Sequence, residues 1–288
     1  MLLSISVLQF CFTPESFESF ANAFGKRYAS PAEEAQRRAN FNRFQLRVAV
    51  QNAAFHAGNS SWWASLSHIA DWSDEERAKL RGRRAPSVAS PTVAPLASPV
   101  GGALPDSFDW RSKGVVTPIK DQGGCGSCWA FASTETMESH FAIASGQLLE
   151  LAPQTYVNCA PNPQHCGGTG GCEGSIPELA FNFTAAHGIA LEVDLPYRGR
   201  DHACNKYVPA VTCGGYSKLP ANDATALETA LATVGPLAVN VAAMPWEIYG
   251  GGIFDGGCGA GKSCDLDHVV QAVGYAKDYW SEHRTFEP

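Results

Sequence analysis

Large apolar residues near the start of the chain recur at helical spacing. The series consists of Phe17, Phe20, Phe24, Phe41, Phe44 and Val48, and the polar residues Arg37 and Asn52 follow the same steps. Such steps of three and four residues place one continuous stripe along an amphipathic helix. Residues 30–33 (Ser-Pro-Ala-Glu) have the composition of a helix start, with a Ser N-cap, Pro first and Glu three residues after the cap. Periodicity alone would fit any amphipathic helix.

The spacing changes along the second part of the chain. After Cys128, apolar residues recur at helical intervals up to Gly146, which is placed to end a helix. Residues 237–241 alternate between branched apolar and smaller or polar side chains, and residues 268–275 are rich in β-branched ones, so both predict strands. An early helix followed by late strands predicts an α+β fold.

Composition divides the chain into four segments. Residues 1–12 form an apolar run that is too short to span a bilayer but fits a signal peptide; an ordinary helix or strand is the alternative. Residues 85–103 repeat Pro, Ser and Ala, which predicts a protease-sensitive linker. Residues 13–84 and 104–288 are then the folded parts, and no stable membrane insertion is expected.

Charge separates the two parts. Residues 1–103 hold 11 Lys and Arg against 8 Asp and Glu, a net +3, whereas residues 104–288 hold 10 against 20, a net −10. The two parts should therefore attract each other. The acidic part has no cluster of Lys and Arg, which argues against nucleic acid as a partner.

The densest chemical signal lies in residues 120–131 (Lys-Asp-Gln-Gly-Gly-Cys-Gly-Ser-Cys-Trp-Ala-Phe). A thiolate attacks carbonyl carbon far better than a thiol, and a helix beginning at Cys128 would favour the anionic sulfur through its dipole. A nearby imidazolium would favour it further. The Cys128 N–H and the Gln122 amide could bind a developing oxyanion, so one loop would supply the nucleophile and the oxyanion hole.

Residues 125–129 (Cys-Gly-Ser-Cys-Trp) match the nucleophile signature of papain and the cathepsins, and the chain resembles the papain family of cysteine proteases from about Phe17 to Trp280. The resemblance extends to the first part, where the interrupted helix motif of cathepsin L-like propeptides is matched by Glu33, Arg37, Phe41, Val48 and Asn52, with Phe44 in place of the usual Asn. Residues 69–76 resemble the strand and turn that follow that motif. Residues 104–111 resemble the mature N-terminus, which places activation cleavage in the linker.

This resemblance implies a papain-like fold of two subdomains, a helical L subdomain and an incomplete β-rich R subdomain, after a helical propeptide. It implies a zymogen that hydrolyses peptide bonds through the Cys128 thiolate. Residues 264–275 resemble the strand that carries the catalytic His, so His268 becomes the general acid/base. Peptides and proteins would be the substrates, the propeptide an intramolecular inhibitor, and endopeptidase action the default.

The resemblance also implies the surroundings of the site. It pairs Cys125 with Cys172 and Cys159 with Cys204. The implied substrate-binding residues are Gly174, Ser175, Ile176, Pro177, Asn240, Asp267 and Val269, of which Ser175 replaces a usual glycine. An apolar pocket of this kind would prefer a hydrophobic side chain on the substrate; alternatively, the apolar members simply pack the core.

Nine of the ten cysteines lie between Cys125 and Cys264, which indicates an oxidising compartment. The secretory pathway, leading to a lysosome, a vacuole or the outside of the cell, is expected, and the sequons at Asn59 and Asn182 are compatible with it. A zinc site built from Cys125, Cys128 and their neighbours Cys166, Cys172 or His165 would consume the nucleophile, so no metal or cofactor is expected. Cys258 could bridge Cys264 or a partner beyond the chain.

The sequence departs from the family after Trp280. The family continues into an Asn-Ser-Trp-Gly segment whose Asn orients the catalytic His, whereas Arg284 stands at that position here. This departure predicts a C-terminally truncated and impaired hydrolase. The alternative is an inactive relic that acts as a binding or inhibitory protein.

Overall fold

The computed structural model describes residues 16–82, 104–255, 265–277 and 279–283. The predicted signal peptide, the linker 85–103, Cys258, Cys264 and Arg284 lie outside these ranges. The described residues form two compact units, one of residues 16–74 with 245–255 and one of residues 75–244 with 265–283.

The first unit begins with two helices, α1 (Phe17–Ala23) and α2 (Pro31–His56). The Ser30 hydroxyl accepts a hydrogen bond from the Glu33 N–H at 3.2 Å, and Pro31 occupies the first turn, so the predicted helix start is confirmed. The prediction of one continuous stripe is wrong, because residues 17–23 form a separate helix. Aromatic rings from both helices still share a buried core, with Phe20 and Phe41 centred 4.9 Å apart.

Asp71 holds the segments of this unit together. Its carboxylate forms an ion pair with Lys26 at 3.0 Å and accepts a hydrogen bond from the Tyr28 hydroxyl at 3.0 Å, while its carbonyl accepts one from the Asn40 side chain at 3.0 Å. Buried charge is tolerated where it is paired in this way.

A short antiparallel pair completes the unit, with β1 (Trp62–Ala64) against β4 (Tyr249–Gly252). Asn52, near the end of α2, bonds both the N–H and the carbonyl of Ala64. Strand β1 thus lies before residues 69–76, and those residues contain a turn and the start of α3 (Asp74–Leu80). The expectation of a strand within 69–76 is wrong, whereas the expected turn is present.

The second unit contains the remaining helices and a sheet. The helices are α4 (Cys128–Ser145), α5 (Pro153–Cys159), α6 (Pro177–His187) and α7 (Ala224–Thr233). The strands are β2 (Ser107–Asp109), β3 (Leu237–Val241), β5 (His268–Ala276) and β6 (Tyr279–His283). β5 pairs antiparallel with each of the other three strands.

Helix α4 forms the centre of this unit. It begins at Cys128 and ends at Gly146, which has a φ of 75°, as the sequence predicts. Its residues up to Ser139 are buried, and Trp129 packs in one core cluster with Tyr156 and Val269. Helix α4 and strand β5 thus meet in one core cluster, and the first residue of each is fully buried. Among the described helices, none is long and apolar enough to cross a membrane.

Candidate active site

The loop of residues 122–128 is fixed at several points before α4 begins. A disulfide joins Cys125 to Cys172, and the Gly126 N–H donates to the Cys172 carbonyl at 2.9 Å. Ser127 donates its N–H to the Cys125 carbonyl at 2.8 Å. The loop can therefore hold the first residue of the helix in one place.

Cys128 is that first residue, and it is a free and fully buried thiol. Burial raises the pKa of the thiol to about 11, whereas backbone hydrogen bonds from Val269, Gly82 and Trp129 oppose the rise. The negative charge of Asp267 also raises the pKa of the thiol, by a smaller amount. In this covered state the sulfur is protonated at neutral pH.

His268 is the first residue of β5 and is fully buried. It lies opposite Val241 in the register of β3 and β5. The next residue, Val269, packs in the same core cluster as Cys128. The fold thus brings the start of β5 to the start of α4, although 140 positions separate the two residues in the sequence.

Gln122 is fully buried at the other end of the loop. Its side-chain N–H₂ donates to the Leu80 carbonyl and to the Cys125 carbonyl, each at 2.9 Å. Leu80 ends α3, so a carbonyl from the N-terminal part of the chain takes a hydrogen bond from the predicted oxyanion donor.

Three glycines allow backbones to approach each other beside Cys128. A methyl group added at Gly82 would overlap the Gly126 carbonyl, and one added at Gly174 would overlap the Gly82 carbonyl. The Gly82 segment therefore lies directly between the nucleophile loop and the predicted substrate-binding loop.

Asp267 precedes His268, and its carboxylate takes part in a hydrogen bond and an ion pair. One carboxylate oxygen accepts from the Ala243 N–H at 2.8 Å, and the other forms an ion pair with Arg81 at 3.0 Å. Both side chains of the pair are largely shielded from solvent, with 16% and 22% exposure. Residues 80–82 thus contact the site through the Leu80 carbonyl, the Arg81 charge and the close approach of Gly82 to Gly126 and Gly174.

The other predicted substrate-binding residues lie at the start of α6, in the loop before it, and on strands β3 and β5. Gly174, Ser175, Ile176 and Pro177 are buried, and Pro177 starts α6. Asn240 is exposed and pairs with Val269 in the β3–β5 register. Val269 belongs to the core cluster around Cys128, which agrees with the alternative that this side chain packs the core.

The remaining cysteines limit the zinc alternative. A second disulfide joins Cys159 to Cys204, so both disulfides are the pairs that the resemblance implied. The bond between Cys125 and Cys172 removes two of the sulfurs that a zinc site would need. Cys166 and Cys213 are free thiols in the described part of the chain.

Two supporting residues were not predicted from the sequence. Buried Glu138 accepts hydrogen bonds from Thr117, Lys120 and the Leu151 N–H, and burial raises the pKa of its carboxyl. The Tyr197 hydroxyl bonds the Gln122 carbonyl at 2.8 Å. Tyr197 is 75 residues from Gln122, and no local pattern signals such a contact.

Comparison with known proteins adds an independent line of argument. The family model "Papain family cysteine protease" matches residues 104–284, and the "Cathepsin propeptide inhibitor domain" matches residues 17–77. A cathepsin L-like proteinase of Phaedon cochleariae is 34% identical over 92% of this chain and 82% of its own length. Cathepsin K of Mus musculus is 32% identical over 98% and 87%.

Solved structures of related protease precursors have the same fold as this chain. The digestive procathepsin L 3 of Tenebrio molitor larval midgut is 31% identical and covers 93% of this chain and 87% of its own, with a TM-score of 0.82.

The fold and the covered thiol define the precursor of a hydrolase that uses a cysteine nucleophile. The chain belongs to the papain family of cysteine proteases and carries a cathepsin-type propeptide inhibitor domain. Its function is that of a cathepsin L-like cysteine peptidase made as a zymogen, and no finding favours the inactive alternative.

Proposed function

We propose that Cys128 is the nucleophile, His268 the general acid/base and Gln122 an oxyanion donor in peptide-bond hydrolysis. The observation that carries the proposal is a free thiol at the first residue of α4 that packs in one core cluster with Val269, the residue after His268. A helix N-terminus and an imidazolium both stabilise a thiolate.

The chemistry follows from these positions. The Cys128 thiolate attacks the peptide carbonyl, and the resulting oxyanion accepts hydrogen bonds from the Gln122 amide and the Cys128 N–H. The His268 imidazolium gives its proton to the leaving amine, which leaves a thioester on Cys128. His268 then takes a proton from water, and the hydroxide formed attacks the thioester, whose C–S bond breaks to release the acid and restore the Cys128 thiolate beside the His268 imidazolium.

Substrate lies along the Gly174 loop in this proposal, with Ser175, Ile176 and Pro177 beginning a pocket that Asn240 and Val269 complete, and with Asp267 beside His268. Support comes from the Gly82 segment, whose carbonyl lies against Gly174 much as a substrate backbone would. The apolar members favour a hydrophobic side chain next to the residue whose peptide bond is cleaved. In this proposal the enzyme cleaves peptide bonds within protein chains, as an endopeptidase.

The propeptide inhibits by occupying the site. Leu80 takes the Gln122 hydrogen bond, Gly82 fills the space beside Cys128, and Arg81 pairs with Asp267. Burial holds the pKa of the Cys128 thiol high in this state, although the Gly82 backbone itself lowers it. Removal of residues 80–82 would free the oxyanion donor and return the sulfur to solvent, so that an ion pair with His268 can form.

Secretory passage to a lysosome, a vacuole or the outside of the cell fits two disulfides, which persist in oxidising compartments. Acidification should release the propeptide there, because protonation of Asp and Glu weakens the attraction between an acidic peptidase and a basic propeptide.

Arg81→Gln should shorten the half-time of processing several-fold, because it removes a largely shielded ion pair that holds the propeptide to Asp267. Gel analysis of the full chain against time, at pH 5 and pH 7 and at fixed salt, measures the rate. Arg38→Gln is the matched control, since it makes the same charge change in a more exposed pair with Glu34. Equal wild-type rates at the two pH values would contradict acid release.

The decisive test of the function is labelling of the processed chain with an epoxide inhibitor of cysteine proteases, followed by mapping of the modified residue. Modification should fall on Cys128 and should abolish peptide hydrolysis in proportion to labelling. Labelling of Cys166 or Cys213 instead, or none at all, would refute the proposed mechanism and favour an inactive binding protein.

A further inference from the structure

The Tyr197 hydroxyl lies between the two ends of the nucleophile loop. It donates a hydrogen bond to the Gln122 carbonyl at 2.8 Å, and the Ser127 hydroxyl lies 2.6 Å from it. A phenol has a single O–H proton, and a carbonyl can only accept, so Ser127 must be the donor to the Tyr197 oxygen. One side chain thus ties the residue of the oxyanion donor to the residue before the nucleophile.

Because its hydroxyl bonds Tyr197, Ser127 does not cap α4 with its side chain. It occupies the N-cap position of α4, where a serine hydroxyl ordinarily accepts from a helix N–H. Within the described residues, its side chain makes no such capping bond. Its hydroxyl is directed to Tyr197 instead. The Ala130 N–H, which a serine cap would ordinarily bind, donates to the Ser127 carbonyl at 2.8 Å.

Tyr197 is itself held from two sides. Its ring packs edge-on against Phe131 on α4, with centroids 4.7 Å apart, and its backbone N–H donates to the Glu192 carboxylate at 2.7 Å. Burial raises the pKa of the phenol, so the hydroxyl remains a donor across the working pH range. A rigid ring and a permanent proton make this residue suited to fixing a loop.

We propose that Tyr197 is a positioning residue, which holds Gln122 so that its amide faces the oxyanion formed at Cys128. Catalysis by an oxyanion hole requires donors that are already in place when charge develops, and a donor on an unfixed loop loses much of its effect. The inference rests on the proposed roles of Cys128 and Gln122. It adds a residue that does not touch the substrate.

The test uses the full chain, activated by processing, and a peptidyl amide substrate. Tyr197→Phe keeps the ring and removes both hydrogen bonds, and it should lower kcat about tenfold while KM changes by less than about twofold. Tyr207→Phe is the matched control, because it removes a phenol that donates to the Gly188 carbonyl, away from the loop. Its kcat should be that of the wild type.

A double-mutant cycle with Gln122→Ala separates positioning from simple stability. Gln122→Ala alone should lower kcat about a hundredfold, and Tyr197→Phe should then change kcat by less than about threefold, because the donor that it positions is gone. Alkylation of Cys128 by iodoacetamide forms no oxyanion, so its rate should be unchanged by Tyr197→Phe.

Three results would overturn the inference: a wild-type kcat for Tyr197→Phe, an equal loss in both backgrounds, or a parallel fall in the alkylation rate. If Gln122→Ala keeps the wild-type kcat, the proposed oxyanion role of Gln122 is wrong. That result differs from an equal loss in both backgrounds, which contradicts only the positioning role of Tyr197. Should Tyr197→Phe not fold, Ser127→Ala takes its place, with a several-fold lower kcat expected and an unchanged kcat contradicting the inference.

Discussion

Replacing Cys128 with alanine should lower kcat/KM for a peptide amide by about 10⁵-fold or more. The variant loses the attacking atom, and removal of a nucleophile costs a loss of this order because the rest of the site then acts only as a binding surface. The full-length Cys128→Ala chain should also accumulate unprocessed if the enzyme cleaves its own propeptide. Trace wild-type enzyme, added and then inhibited, would supply the processed form for the kinetic assay.

Cys213→Ala is the matched control for that experiment. Cys213 is also a free thiol, but it lies next to the Phe181 carbonyl at 3.7 Å rather than at the start of α4. Its substitution should leave kcat/KM within about twofold of the wild type, in the range of a small local packing change. Activity retained by Cys128→Ala would exclude cysteine-mediated hydrolysis at this site.

The elements that the sequence predicts well are those with local signals. The start of α2 at Ser30 and the end of α4 at Gly146 depend on capping residues, and β5 depends on a run of β-branched side chains. The separate helix α1 was not predicted. The segment that follows it is held by Lys26 and Tyr28, which reach Asp71 more than 40 residues away.

The candidate site divides in the same way. Cys128 and His268 stand in motifs that a resemblance can assign, whereas the parts that cover or support them come from distant segments. Arg81 pairs with Asp267 across nearly the whole peptidase sequence, and Tyr197 meets Ser127 from 70 residues away. Such contacts are fixed by the packed fold, so neither periodicity nor a motif can reveal them.

Gly82→Ala should remove much of the latency of the zymogen. The added methyl group would overlap the Gly126 carbonyl, a backbone atom that the Cys125–Cys172 disulfide and α4 prevent from moving aside. Overpacking in a fixed environment costs about 1–3 kcal/mol, so the propeptide segment should leave the site about 10- to 100-fold more often. The rate of epoxide labelling of Cys128 in the unprocessed chain, measured at neutral pH, should rise by that factor.

Processing removes residue 82 if cleavage falls in the linker, so the mature enzymes from Gly82→Ala and wild type should have equal kcat and KM. Gly214→Ala is the matched control, because a methyl group at Gly214 meets no atom within 4 Å among the described residues. It should leave the labelling rate of the unprocessed chain unchanged. If Gly82→Ala labels no faster than Gly214→Ala, latency does not depend on the close approach of residues 82 and 126, and the propeptide must inhibit through other contacts.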